Sequence, residues 1–348
     1  MKKFIFIIFL IGSTISACNN SDNQSNENSD STSTEEKVAV DVPVSTSIEI
    51  MADEANKFLD TTFVVEELGK GFGWAEGPVW VTSIDALLFT DVPANKIYKW
   101  TEKDGLSVFL SPSGYTDTSK VKKGDGANGL MLDSEGDLVL CQHGDRRVAT
   151  LKTGVQNPLP EFITLADKFD GKKFNSPNDL AIKSNGDIYF TDPPYGLKDE
   201  KDKEIKFNGV YKVNQNGEVS LLIDSLTRPN GIAFSPDEKT LYVGNSDPDK
   251  IFVYSFQLDA KGNLSMPKIF FDATELAKAG PGLPDGMKVH KSGIIFTTGP
   301  GGVLLLSPKG KLLGIIHTSK STANIAFDAD QKYLYLTTTD RLLRVKLK

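Results

Sequence analysis

The architecture of this chain can be recognised in residues 178–191, NDLAIKSNGDIYFT, because five other segments follow the same pattern. The segment begins with a polar residue, Asn178, and continues with a short apolar stretch, a polar turn and a second strand. The other copies begin at Glu76, Asn128, Asn230, Asp285 and Asn324. Successive copies start 39 to 55 residues apart, which suits units of four short strands. We therefore predict an all-β fold, a six-bladed β-propeller.

The last unit ends without a fourth strand, and the other end of the chain offers a substitute. Residues 61–68 alternate between apolar and polar side chains and precede the first unit. We expect this segment to complete the last blade and close the ring, because closure removes an exposed strand edge. The predicted propeller, which is also the catalytic domain, comprises residues 61–348.

The first 18 residues indicate export. Lys2 and Lys3 precede an apolar run from Phe4 to Gly12, which is shorter than a transmembrane helix. The small residues before Cys18 resemble the lipobox of bacterial lipoproteins, in which the cysteine carries the lipid. We predict a lipoprotein signal peptide over residues 1–18 and a lipid anchor on Cys18 in the bacterial cell envelope, facing the periplasm or the exterior. The alternative is an ordinary cleaved signal.

Residues 19–60 are expected to form a flexible tether. As far as about Lys37 they are mostly Asn, Ser, Thr, Asp and Glu, so they cannot bury enough apolar surface to offset the entropy of ordering. Within the rest of the tether, residues 48–59 have the pattern of a short amphipathic helix.

Charge and cysteine content exclude some functions. The formal net charge is −7 and no Lys/Arg-rich run is present, which argues against nucleic-acid binding. Cys141 is the second of two cysteines, so a lipid on Cys18 would exclude an intramolecular disulfide. We predict no protein partner, and a membrane contact through the lipid alone.

The polar residues that begin the six units predict a metal site. The innermost strand of each propeller blade lines the central channel, so these side chains should converge there. Burial of the Glu76 and Asp285 carboxylates is costly without a cation. Oxygen ligands suit calcium, magnesium or manganese better than zinc. The alternative is that the Asn-Gly and Asp-Gly pairs are turn dipeptides. We predict one divalent cation, calcium in the first place, with magnesium, manganese or zinc as alternatives.

Five motifs occur in register along the chain. They are Glu76-Gly77-Pro78-Val79-Trp80, Ser176-Pro177-Asn178-Asp179, Phe190-Thr191-Asp192-Pro193-Pro194-Tyr195-Gly196, Arg228-Pro229-Asn230-Gly231 and Pro284-Asp285-Gly286-Met287. Together they resemble the senescence-marker-protein (regucalcin)/gluconolactonase family, and the third motif resembles its bacterial gluconolactonase-like branch. The resemblance covers roughly residues 66–320 and implies a six-bladed propeller with a divalent metal.

The resemblance also implies which residues bind the metal. Glu76, Asn230 and Asp285 would be ligands, and Asn178 would lie at the edge of the metal or face the substrate. One departure limits the transfer: Ser176 occupies a position where the vertebrate members carry Arg. Recognition of substrate hydroxyl groups should therefore differ from theirs.

Family members that are enzymes hydrolyse sugar lactones or related esters. The resemblance thus implies a metal-dependent carboxylic-ester hydrolase, a gluconolactonase-like lactonase, acting on a small sugar lactone. Two alternatives stay open at this point. The same metal could hydrolyse another ester or a phosphotriester, or the propeller could bind a carbohydrate or a protein without catalysis.

Three candidates remain for the general base: Asp285, His143 and a water acidified by the metal. A carboxylate bound to a cation has a depressed pKa and is a poor base. His143 follows a strand of the second unit and titrates in a useful range, although it could equally be a loop histidine that caps a carbonyl.

Substrate contacts are expected from Asn128, Asn178 and Tyr195. Tyr195 lies in a loop whose backbone is fixed by a proline pair. We assign the Tyr195 side chain to the wall of the pocket. We interpret Asp192, in the same loop, as part of a rigid turn in which its side chain bonds to its own backbone.

Overall fold

The computed structural model describes residues 43–117, 125–259, 262–278 and 280–348. These residues form six antiparallel sheets of four or five strands, which confirms the predicted six-bladed β-propeller. In this part of the chain no helix is long and apolar enough to cross a membrane. The predicted signal peptide, Cys18 and the first part of the tether lie outside the described residues.

The first three blades follow one another along the chain, each running from its innermost to its outermost strand. Blade 1 contains Ala75–Val81, Ala86–Asp91, Lys96–Thr101 and Gly105–Leu110. Blade 2 contains Ala127–Leu132, Leu138–Gln142, Arg147–Leu151 and Phe162–Ala166. Blade 3 contains Leu180–Ile182, Ile188–Asp192, Gly209–Val213 and Val219–Ile223. A small hairpin of Lys168–Phe169 and Lys172–Lys173 precedes blade 3.

The other three blades have the same order, with additions at their outer edges. Blade 4 contains Pro229–Phe234, Thr240–Asp247, Lys250–Gln257 and Lys268–Asp272. Blade 5 contains Met287–Val289, Ile295–Gly299, Gly302–Leu306, Leu312–Thr318 and, outermost, Thr46–Ile50. Blade 6 contains Thr322–Phe327, Tyr333–Thr338, Arg341–Lys346 and, outermost, Val65–Lys70. Short 3-10 helices lie at Asp53–Lys57, Thr82–Ile84, Glu200–Asp202 and Thr274–Lys278.

The ring closes where the sequence predicts it. Val65–Lys70, close to the predicted segment 61–68, pairs antiparallel with Arg341–Lys346. The Arg341 side chain is buried, and its Nη1 donates to Glu67 Oε2 at 2.6 Å. A strand ladder and an ion pair therefore join the N-terminal strand to the last blade.

The ordered domain begins before the predicted boundary at residue 61. Thr46–Ile50, assigned to the tether, pairs with Leu312–Thr318 as the outermost strand of blade 5. Its Ile48 and Ile50 pack against a hydrophobic cluster that contains Leu59, which is fully buried. Apolar burial thus orders this segment, and the compact unit runs from residue 43 to residue 348.

The predicted amphipathic helix over residues 48–59 is wrong. The N-terminal part of this segment is strand, and only Asp53–Lys57 is helical, as one short 3-10 helix. An alternation of apolar and polar side chains suits a strand that packs one face against the protein. The open edge of blade 5 provides the strand with which this segment pairs.

Hydrophobic packing between blades holds the ring together. Among the described residues, a cluster of buried apolar side chains fills each of the six interfaces between neighbouring blades. For example, Leu88 of blade 1 packs with Leu140 of blade 2 in one cluster, and Phe296 of blade 5 packs with Leu336 of blade 6 in another. Close-packed interfaces of this kind fix the inner strands, and with them the polar side chains at the axis.

Candidate active site on the propeller axis

Glycines allow the inner strands to approach one another at the axis. Gly77 has a φ of 48°, and a Cβ there would overlap the carbonyl oxygen of Asn128 in the next blade. A Cβ at Gly231 would overlap the carbonyl oxygen of Asp285 in the same way. The repeat therefore has a glycine after the polar residue because a side chain there would collide with the next blade.

Threonines of the second strands join neighbouring blades at the same level. Thr90 Oγ1 donates to the carbonyl oxygen of Asn128 at 3.0 Å. Thr191 Oγ1 donates to the carbonyl oxygen of Asn230 at 2.8 Å. These bonds fix the backbone of two residues that the sequence places in the site.

The loops that enter three inner strands are held by side chains at the ends of second strands. Asp91 accepts the backbone N–H groups two and three residues before the polar residue of blade 1, at 3.1 to 3.3 Å. Asp192 accepts the equivalent pair in blade 3, at 2.7 and 2.8 Å. Asn245 accepts the N–H two residues before the polar residue of blade 4, at 2.9 Å. Asp192 therefore bonds to a neighbouring loop, and the predicted bond to its own turn is wrong.

A cavity of about 570 Å³ collects the predicted residues at one end of the channel. Its lining includes all seven side chains proposed for metal binding, catalysis or substrate binding: Glu76, Asn128, His143, Asn178, Tyr195, Asn230 and Asp285. The sixth polar residue of the repeat, Asn324, is buried and lies outside this lining. Sequence reasoning missed other lining residues, among them Asp125, Arg228 and Ser246.

Three oxygen atoms in this cavity are shielded from solvent. Among the described residues, none provides a hydrogen-bond partner to Asn128 Oδ1, Asn178 Oδ1 or Asp285 Oδ1. Buried acceptors in folded proteins are almost always satisfied. Unpaired carboxamide and carboxylate oxygens are the donor set that a hard divalent cation takes. The residues present therefore fit a cation of the calcium or magnesium type.

The electrostatics of the cavity agree with that fit. Burial raises the pKa of Glu76 to about 7, and the negative charge of Asp179 adds to the effect, against a hydrogen bond from the Gly77 N–H at 3.0 Å. Burial also raises the pKa of Asp285 well above its usual range, with further contributions from the charges of Glu76 and Asp179. The carboxylates repel one another, and a bound cation would relieve that repulsion.

His143 lies in the cavity beside a predicted ligand. The residue is 2 % exposed, and its Nε2 lies 3.4 Å from Asn178 Nδ2. Burial lowers the pKa of His143 to about 4, below the near-neutral range that the sequence predicts, so the imidazole is neutral at pH 7. Within the described part of the chain its Nδ1 has no hydrogen-bond partner, so no carbonyl there is capped by this atom.

The structure also places Tyr195 at the cavity. Its hydroxyl lies 3.4 Å from the carbonyl oxygen of Ser246, and Ser246 Oγ accepts from Asn230 Nδ2 at 3.2 Å. The phenol therefore stands beside the blade 4 residue that the sequence assigns to the metal.

The chain is similar in sequence and in structure to known proteins of one family. A family model described as "SMP-30/Gluconolactonase/LRE-like region" matches residues 74–340. A gluconolactonase of Zymomonas mobilis subsp. mobilis is 36% identical over 299 residues, 83% of each chain. A gluconolactonase structure from Xanthomonas campestris has a TM-score of 0.76 at 28% identity and covers 89% of this chain and 99% of its own. A calcium-binding regucalcin structure from Agrobacterium tumefaciens has a TM-score of 0.64 at 18% identity, over 82% and 95%, and shares the fold.

Proposed function

Because this chain belongs to the SMP-30/gluconolactonase/LRE-like family, we propose that it opens sugar lactones in the axial cavity with the help of one divalent cation. It is a lactone-hydrolysing enzyme of the carboxylic-ester hydrolase class, as its gluconolactonase relatives are. The observation that carries the proposal is the set of buried oxygens without partners beside two carboxylates in one cavity. This costly arrangement supports a bound cation, and the gluconolactonase relatives support a catalytic use of it.

Glu76, Asn178, Asn230 and Asp285 would hold the cation. Calcium is the proposed ion, because all four donors are oxygens and the related regucalcin structure is described as a calcium-binding protein. When bound, a divalent ion there would polarise the lactone carbonyl and acidify a water molecule.

The chain's own residues supply the other parts of the reaction. Asn128 presents an unpaired carboxamide oxygen that can accept a hydrogen bond from a sugar hydroxyl. Tyr195 lines the cavity and would limit the orientations that the lactone ring can take. His143 lines the cavity, and a ring nitrogen of the neutral imidazole can take a proton from the attacking water. Water adds to the lactone carbonyl, the ring C–O bond breaks, the ring oxygen receives a proton and a hydroxy acid leaves.

Hydrolysis of glucono-δ-lactone tests this function. Acid release would be followed for the metal-stripped protein, with and without added calcium, magnesium, manganese or zinc. Asp285→Asn would be compared with Asp104→Asn, an exposed carboxylate on an outer turn of blade 1. We expect a cation to restore activity in the wild type and in Asp104→Asn, and Asp285→Asn to lose it. Equal rates for all three proteins, with or without cations, would refute the proposal. Activity on a phosphotriester but not on the lactone would identify the alternative substrate.

The proposed location is the bacterial cell envelope, with a lipid on Cys18. This proposal is supported by residues 1–18, in which basic residues, an apolar run and small residues follow one another, and by the polar segment after them. Labelling with a fatty-acid analogue in a bacterial host tests it. We expect label on the wild type and none on Cys18→Ser, whereas equal labelling of both proteins would refute the anchor.

A further inference from the structure

A second cavity, of about 410 Å³, lies at the far ends of the inner strands. It is lined mainly by apolar residues that follow the polar heads of the blades, together with Lys288 of blade 5. Glu76 and Asp285 line the active-site cavity. Hydrogen bonds join Asp179, Asn324 and Lys288, and Lys288 lines the second cavity.

Asp179 is a third buried carboxylate near the axis. It is 2 % exposed and directly follows Asn178 in the chain. Its Oδ1 accepts the N–H of Leu180 at 2.9 Å, and its Oδ2 accepts from Asn324 Nδ2 at 3.3 Å. Its negative charge repels those of both Glu76 and Asp285.

Asp179 is not a third carboxylate ligand of the same ion. Among the described residues, no three His, Cys, Asp or Glu side chains converge as a metal site. Both carboxylate oxygens of Asp179 accept hydrogen bonds from the protein, so its charge can act on the site without coordination of the ion. The charge of a buried side chain such as Asp179 acts over a longer distance than a charge in water, because the effective dielectric constant is lower.

Lys288 supplies the opposite charge. Its Nζ donates to the carbonyl oxygen of Met287 at 3.1 Å and to Asn324 Oδ1 at 3.4 Å. The amide of Asn324 thus bridges the ammonium group and the Asp179 carboxylate.

The charges around the axis sum to a useful value. With a cation bound, Glu76, Asp285 and Asp179 contribute three negative charges and Lys288 one positive charge, which leaves two negative charges. This is the charge that one divalent cation neutralises. Asp125 and Arg228, which also line the active-site cavity, have opposite signs.

We infer that Asp179 and Lys288, joined through Asn324, set the charge of the cation site and thereby its affinity, without touching the ion. The inference rests on the proposed cation site. It predicts opposite effects of the two residues, which a purely structural role would not produce.

The test is a calcium titration of the metal-stripped full chain by calorimetry, with three variants of the axial residues and two control variants. Asp179→Asn keeps the shape and the acceptor of Asp179 but removes its charge, and we expect calcium binding to weaken at least about tenfold. Lys288→Met removes the positive charge, and we expect binding to strengthen about tenfold. The double variant restores two net negative charges and should bind within about threefold of the wild type. Asp104→Asn and Lys103→Met make the same charge changes on an exposed turn and serve as controls.

Each outcome decides the matter. Opposite shifts with recovery in the double variant support the inference. Weakening in both single variants, or no change in either while the wild type binds calcium, overturns it and leaves the cation site intact. A wild type that binds no divalent cation overturns the cation site itself, and this inference with it. If Asp179→Asn does not fold, Lys288→Met decides alone: stronger binding supports the inference, and unchanged or weaker binding overturns it.

Discussion

Burial of polar side chains at the axis is unfavourable, yet hydrogen bonds hold the loops that carry these side chains. The Glu76 carboxylate is buried next to carboxamide oxygens without partners, an arrangement that folding alone would not favour. The loops before it and before Asn178 are held by carboxylates of the same blades, Asp91 and Asp192. Such supports position ligands to within tenths of an ångström, which is what a cation site needs and a surface loop does not.

Asp192 should make stability depend on pH. Burial raises its pKa to about 7 against the hydrogen bonds that it accepts. The folded chain therefore binds more protons than the unfolded chain between about pH 4 and 7, and the free energy of unfolding falls as pH rises through this window. Relative to Asp192→Asn, the wild type should lose up to about 4 kcal/mol from pH 4 to pH 8. Urea unfolding of both metal-stripped proteins measures this difference, and parallel pH profiles would contradict it.

His143 should matter for the chemical step and not for cation binding. His143→Gln retains a group that can bond to Asn178, but it cannot take up a proton. We expect kcat for lactone hydrolysis to fall by roughly 10²–10³, while the rise in Tm on calcium addition persists. His317→Gln is the control, since His317 contacts Glu49 at the outer edge of blade 5. A His143→Gln enzyme with more than a tenth of the wild-type kcat would assign the base elsewhere.

The sequence predicts six of the seven cavity residues because each belongs to a repeated or recognisable local motif, whereas His143 is a candidate for its residue type and its place after a strand. Arg228 belongs to such a motif too, but nothing in the sequence indicates which way its side chain points. Asp125 comes from a loop and Ser246 from the end of a second strand, and the two meet in one cavity only after the ring has formed. Asp179 belongs to a recognised motif without an assigned role, and Lys288 looks like an ordinary residue of a strand face. Their significance depends on Asn324, which contacts both across the channel and lies far from Asp179 in the chain.

The strands that the chain adds at its N-terminal side stabilise two blades. Val65–Lys70 completes blade 6, and Thr46–Ile50 extends blade 5. The first was predictable, because blade 6 visibly lacked a strand. The second was not, because blade 5 already has four strands and the partner of Thr46–Ile50 lies more than 260 residues away in the sequence.

A chain that begins at Thr61 should be less stable than one that begins at Pro43. It loses the outer strand of blade 5 and the buried side chains of Ala55 and Leu59. We expect its free energy of unfolding to be lower by at least about 3 kcal/mol, with lactonase activity retained under native conditions because the cavity is on the axis. Urea denaturation of the two chains measures this, and equal midpoints would show that residues 43–60 contribute nothing.

The ring as a whole converts six weakly similar segments into one site. No blade contains more than a few polar side chains of the cavity, and Glu76 and Asp285 come from blades 1 and 5. The distance between Glu76 and Asp285 is therefore set by the hydrogen bonds and packed interfaces between blades, which form only when the ring is closed. Changes in the outer loops should therefore alter substrate choice more than they alter cation binding.

A crystal structure of the protein with calcium tests the central claim most directly. The account predicts one ion on the axis, identified by its anomalous signal, with oxygen atoms of Glu76, Asn178, Asn230 and Asp285 within roughly 2.3–2.6 Å. Calcium at another place, or an axial cavity that contains only water at saturating calcium, would contradict the account.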